Sequence, residues 1–166
     1  PSMPWTERLA WAKRKSCACS RVQPAPPTMP MCSGARITTL WPKVMPQLSR
    51  VSNRKNKDLI SLRSFEGIPV FGPTADPNFT YWGGAEVTGP NEGLEHLEIP
   101  PGTYAVFHYK GLSSDSSVWR YIYNEWLPNS PWELDHRPHF ERLGAKYKNE
   151  DPNSEEDIYI PVRPRA

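Results

Sequence analysis

Glu141 is the carboxylate whose position in the sequence calls for chemistry. It lies in HFERLGAKY, an alternating stretch whose neighbouring positions are otherwise apolar or basic. A carboxylate drawn partly into a core either pairs with a cation or holds its proton more tightly. Two sources of that cation are open: a nearby Arg142 or Lys146, or a ligand whose charge is also met by aromatic ring faces. A second group is an aromatic stripe. Trp119, Tyr123 and Trp126 stand at i, i+4 and i+7, on one face of a helix. Such stripes usually build core; among the three, Tyr123 suits a pocket best, because a buried phenol needs a hydrogen-bond partner. Glu141 as a base for water with Tyr123 as an acid would be a hydrolytic pair, although the sequence does not fix their geometry.

Other chemistries are poorly supported. His136 and His139 sit at i and i+3 in a loop with no third ligand at useful spacing, and His96 and His108 add none. Surface positions are expected for the histidines. Cys17, Cys19 and Cys32 give a C-x-C with a distant third cysteine, which is a poor zinc pattern. No P-loop, dinucleotide fingerprint, nucleophile elbow or Cys/His pair is present. No metal and no cofactor is expected.

The elements that would position these groups follow from periodicity. DLISLRSFE alternates, with Leu59, Ser61, Arg63 and Phe65 on one face, and reads as a strand. FTYWGGAEVT is a second strand, in which Trp82 and Glu86 share a face and Gly83-Gly84 marks a bulge or a close approach to the backbone. LEHLEI and TYAVFHYKG are further strands. Tyr104 and Phe107 fall on opposite faces of the latter, so at most one of them can line a given groove. The helix carrying Val118, Trp119, Ile122, Tyr123 and Trp126 follows, with Ser113–Ser116 as capping candidates and Asp115 suited to its start. LPNSPWELDHRP reads as a loop. HFERLGAKY and DIYIPV are the last strands, and Pro161 suggests that the final one ends there or lies at an edge. Earlier, RITTLWPKVMPQLSR repeats its apolar residues at helical spacing despite Pro42 and Pro46.

Bulk properties bound the class. The 166 residues fit one domain or two small fused modules. Residues 1–34 carry a formal charge of +4 and the remainder −2, so the globular part lacks the basic face that nucleic acid requires. All three cysteines fall in 1–34, which fits a reducing cytoplasm better than a disulfide framework. No apolar run is long enough to span a membrane, and no leader pattern opens the chain. Residues 1–34, rich in Pro, Ser and Cys, read as a disordered or loosely packed arm, with a composition as foreign to the rest as a stretch read in a shifted frame.

The rest contains a repeat. Each half has an amphipathic helix with Trp on its apolar face, followed by two strands. The second half also has a strand before its helix. Two such strand–helix–strand–strand units can share one antiparallel sheet, with two helices on one face and a groove between them. Module one covers about 35–90 and module two about 91–166. Candidate groove residues are Glu141, Tyr123, Trp119, Trp82, Glu86, Tyr104, Phe107 and Trp126, with Tyr159 weaker.

IPPGTYAVFHYKG, WRYIYNEWLPNS, FERLG and IYIPV, in that order and spacing, resemble the GyrI-like small-molecule-binding domain. That domain is the effector-binding module of some AraC-type and MerR-type transcription regulators and also occurs free-standing. The resemblance covers residues 36–162, more loosely in LWPKVMPQL and FTYWGGAEV, and leaves out 1–34. It implies an α+β fold of two modules with pseudo-two-fold symmetry. It also implies a groove for a small amphipathic, often cationic molecule, with the acidic pocket role falling on Glu141. A free-standing cytoplasmic sensor follows, a binder rather than an enzyme and a monomer or weak dimer. Its partners would be a small-molecule ligand and a regulator or other protein, without direct contact to nucleic acid or membrane. Two alternatives are a hydrolase using Glu141 and Tyr123, and a protein-interaction module of the gyrase-inhibitor type.

Overall fold

A computed structural model describes residues 5–8, 18–19, 46, 48–67, 79–89, 91–92, 94, 97–115 and 117–166. In chain order these form β1 (Trp5–Arg8), β2 (Ala18–Cys19), β3 (Leu59–Phe65), β4 (Phe79–Gly84), β5 (Leu97–Glu98), β6 (Tyr104–Lys110), α1 (Ser117–Tyr121), β7 (Trp132–Leu134), β8 (His139–Leu143) and β9 (Glu155–Pro164). The main sheet runs β1-β6-β9-β8-β3-β4, with β7 pairing the far end of β9. Every pairing among these strands is antiparallel. β2 and β5 form a separate short ladder.

Alternation along the strands separates two layers, because successive side chains point to opposite faces. From β6 and β9, Ala105, Phe107, Ile158, Ile160 and Val162 join Val118, Trp119, Ile122, Tyr123 and Trp126 of the helix. On the other face Ile60, Leu62, Tyr104, Val106, Phe140 and Tyr159 pack with Ile99 and the partly buried Trp82. β9 is therefore buried on both faces, which explains its nearly unbroken apolar run.

The helical stripe is buried as its spacing predicts. Asp115 holds its start: Oδ1 accepts the Ser117 N–H at 2.8 Å, and Oδ2 accepts from the hydroxyls of Ser117 and Tyr109. Burial alone would raise the Asp115 pKa, yet these bonds hold it below the ordinary carboxylate range. After Tyr121 the helix widens into a π-helical turn over Ile122–Trp126, closed by Leu127 N–H donating to the Ile122 carbonyl at 2.9 Å.

Several expectations need correction. β9 does not stop at Pro161 or run along an edge; it lies between β6 and β8 and continues to Pro164. The reason is local. The Pro161 carbonyl points away from β6 and accepts the Asp135 N–H at 3.0 Å, whereas Val162 N–H bonds to Thr103 on the β6 side. The ring nitrogen of Pro161 thus faces the gap between the end of β7 and the start of β8, where no ladder donor is needed. The expected loop after the helix contains β7, whose Trp132–Leu134 pairs with Val162–Pro164. Gly83 and Gly84 pair in plain register with Ser61 and Ile60, so neither forms a bulge.

Among the described residues one α-helix is placed, not two. The helix expected over 36–50 lies outside them, apart from helical positions at Pro46 and Leu48. β1 and β2 fall within the segment read as a loosely packed arm, and β1 pairs Trp5–Arg8 against Val106–Tyr109.

Candidate functional site

On the helix-side face, beyond the apolar patch under α1, the sheet presents polar residues. Antiparallel register puts Ser61 of β3 opposite Glu141 of β8, and Arg63 opposite His139. All four are buried. Arg63 Nη1 donates to Glu141 Oε1 at 3.0 Å, and Ser61 Oγ donates to Oε2. The cation beside Glu141 is therefore Arg63, from another strand. Arg142 pairs instead with Asp58 at 2.5 Å, and Lys146 with Glu155 at 2.8 Å.

The helix supplies the aromatic wall. The Trp119 ring stacks on Tyr123 with centroids 6.1 Å apart and planes 16° apart. The guanidinium of Arg63 lies over the Trp119 ring, 4.5 Å from its centroid, with Phe79 at 5.9 Å. Arg63 thus sits between a carboxylate and ring faces, two surroundings that favour a delocalised cation. The Tyr123 hydroxyl shares a 2.7 Å hydrogen bond with His139 Nδ1.

Burial shifts the titrations here. His139 has no exposed surface and its pKa falls to about 3, through desolvation and then through the charge of Arg63. It is a neutral core histidine, contrary to the surface position expected of it. Of the others, His108 is half-exposed and bonded to Asp157, and His136 is exposed. Burial also raises Tyr123 well above the usual phenol range, an effect Arg63 partly offsets. Glu156 of β9 shares this face. Burial, then the charge of Glu141, pushes it up to about 8.

Glu141, Tyr123 and Trp119 therefore come together. Phe107 lies on the same face but beneath the helix, edge-on to Trp126 with centroids 4.9 Å apart. Trp126 also lines a separate cleft of about 460 Å³ with Tyr121, Glu125, Asn129, Ser130, Pro131 and Trp132. Trp82, Tyr104 and Tyr159 belong to the opposite layer. Glu86 follows β4 and bonds Lys55 at 2.9 Å and Asn56 at 3.0 Å. Ser61, Arg63, His139 and Glu156 were not among the groove residues nominated from sequence. The available signal was a polar residue at every second position, at 61 and 63, at 139 and 141, and at 156 before Ile158 and Ile160. Among the described residues no cluster of His, Cys, Asp and Glu could hold a metal ion, and no helix is long and apolar enough to cross a membrane.

The aromatic cluster and the acidic–basic pair beside it form a pocket-like groove. Solved structures share the fold. SAV2435 bound to tetraphenylphosphonium aligns with a TM-score of 0.63 at 14% identity, over 97% of this chain and 94% of that one. EcmrR, in a complex with DNA, aligns with a TM-score of 0.67 at 15% identity, over 99% of this chain but only 59% of EcmrR. The Vibrio cholerae integron cassette protein VCH_CASS2 aligns with a TM-score of 0.51 at 16% identity, over 96% and 94% of the two chains. No curated protein matches the sequence. The model of the Cass2 family, described as integron-associated effector binding protein, matches residues 33–162, and the chain belongs to that family.

Proposed function

We propose that the chain is an effector-binding domain that takes a small amphipathic organic cation against Trp119 and Tyr123, with Glu141 as its counter-charge. The observation that carries this reading is the setting of Arg63. Its guanidinium is flat and delocalised, lies on an indole face and is held by a buried carboxylate. The protein has filled the position with a cation of its own, and a lipophilic cation offers the same chemistry without an ammonium's strong hydration. SAV2435, of the same fold, binds tetraphenylphosphonium. The two-module fold belongs to this reading: the β3–β4 and β8–β9 pairs meet antiparallel at β3 and β8, and Glu141 stands at that junction. A helix over 36–50 would form the second wall.

Tryptophan fluorescence titration with tetraphenylphosphonium and a neutral triphenyl analogue tests the proposal. Trp119 lies in the site, so saturable quenching by the cation is expected. Glu141→Gln should weaken the cation at least tenfold, about 1.4 kcal/mol, and leave the neutral analogue little changed. Absence of a saturable response to the cation, or equal weakening of both compounds, would overturn the reading.

A further inference from the structure

Glu156 is a carboxyl group without an evident task. It lies in β9, opposite Tyr109 of β6, and is 8 % exposed. Among the described residues it makes no hydrogen bond and no ion pair. Its face of the sheet is the face of Glu141, which pairs with Ile158 two residues along β9. Among the described residues the charged and titratable groups that act on Glu156 are Glu141 from β8, Arg63 from β3 and its chain neighbour Asp157, and Tyr109 of β6 feels the Glu156 charge in turn.

The charge balance of the cluster is simple. Arg63 brings one positive charge and the carboxylate of Glu141 one negative charge. His139 is neutral, and Tyr123 keeps its proton. Among the described residues a second carboxylate in this space has no further cation to answer it, and burial and Glu141 together hold a proton on Glu156 to about pH 8. An organic cation entering beside Arg63 reverses that balance, because two positive charges call for two carboxylates.

Resting on the proposed cation site, we infer that Glu156 is the second counter-charge of the groove, and that the protein exchanges its carboxyl proton for the bound cation. The O–H bond of Glu156 breaks, the proton passes to solvent buffer, and the carboxylate remains to face the ligand. Affinity then depends on pH even though the ligand does not titrate. Below about pH 8 each binding event must expel a proton, so affinity rises by up to tenfold per pH unit and levels off above that pH.

Isothermal titration calorimetry with tetraphenylphosphonium at pH 6.5, in buffers of different ionisation enthalpy, reads the proton directly. The expected result is a heat that varies with the buffer and corresponds to release of up to one proton. Glu156→Gln should still bind but lose the buffer dependence and flatten the pH profile. Glu141→Gln should mainly weaken binding. Saturable binding with buffer-independent heat in the wild type would overturn the inference and leave the cation site standing. Absence of any binding would overturn both. An independent arm needs no ligand: the side-chain carboxyl carbon of Glu156, followed by NMR in the free protein, should titrate near pH 8, and a midpoint in the ordinary carboxylate range would overturn the inference by itself.

Discussion

The two faces of the sheet are built from the same strands and put them to different uses. Ile60, Leu62, Phe140, Tyr104 and Tyr159 make one face almost wholly apolar, with the Phe140 and Tyr159 rings stacked 4.4 Å apart. One residue along each strand, the other face shows Ser61, Arg63, His139, Glu141 and Glu156 in equally deep burial. Hydrophobic transfer stabilises the first at roughly 25 cal/mol per Å² of apolar surface. The second must recover desolvation costs through pairing, and a buried ion pair at best roughly breaks even against an apolar substitute. A fold that needed only stability would have two faces of the first kind. The difference leaves the polar face without a reason in stability alone, and the proposed cation site supplies one.

Removing one partner of the ion pair should show the contrast most strongly. Arg63→Met leaves Glu141 buried with Ser61 but without its cation, and should cost about 3–5 kcal/mol in urea denaturation. Adding Glu141→Leu to it should recover at least half of that loss, because neither charge of the pair then remains. On the other face Phe140→Ala should cost about 3–4 kcal/mol through a cavity, and loss of a second side chain there can only enlarge it. If the Arg63 variant is not rescued, the polar face owes its stability to packing and the distinction between the faces fails.

Much of this arrangement was legible in the chain. The alternation of TYAVFHYKG and the helical spacing from Val118 to Trp126 predict the layers, since each residue's face is a local property. Glu141 stood out for the same reason. Its partner did not, because Arg63 lies 78 residues away and only the register of β3 on β8 joins them. Sequence neighbours Arg142 and Lys146 offered themselves instead, but they reach Asp58 and Glu155. Pro161 misled for a related reason. A proline forbids a ladder donor, but whether its position needs one depends on where the neighbouring strands end.

A milder way to sharpen the comparison is pH, which acts on the polar face through two opposed groups. The folded pKa of His139, about 3, lies below its ordinary 6.5, so the unfolded chain binds the extra proton between these values and stability rises with pH there. Glu156 is the reverse: its folded value of about 8 lies above the ordinary 4.5, so the folded chain holds the extra proton and stability falls as pH rises across that window. Between about 4.5 and 6.5 the two cancel, leaving a plateau. Above it, from 6.5 to 8, stability should drop by about 2 kcal/mol. Thermal melts across this range should show the drop in the wild type and lose it in Glu156→Gln. Replacing His139 with Asn should remove the rise on the acid side.

The smallest effect belongs to Tyr123, where the two kinds of interaction meet in one side chain. Its ring stacks on Trp119 and its hydroxyl bonds His139. Tyr123→Phe keeps the ring and deletes one buried hydrogen bond, so a loss of about 1 kcal/mol is expected. Cation binding, measured by the same fluorescence titration, should change little, because the ring face that would meet the ligand remains. Tyr123→Leu deletes the stacked ring as well and should lose both stability and cation affinity. If Tyr123→Phe weakens the cation as much as Tyr123→Leu does, the hydroxyl rather than the ring faces the ligand. The groove would then recognise a hydrogen-bonding molecule instead of a lipophilic cation.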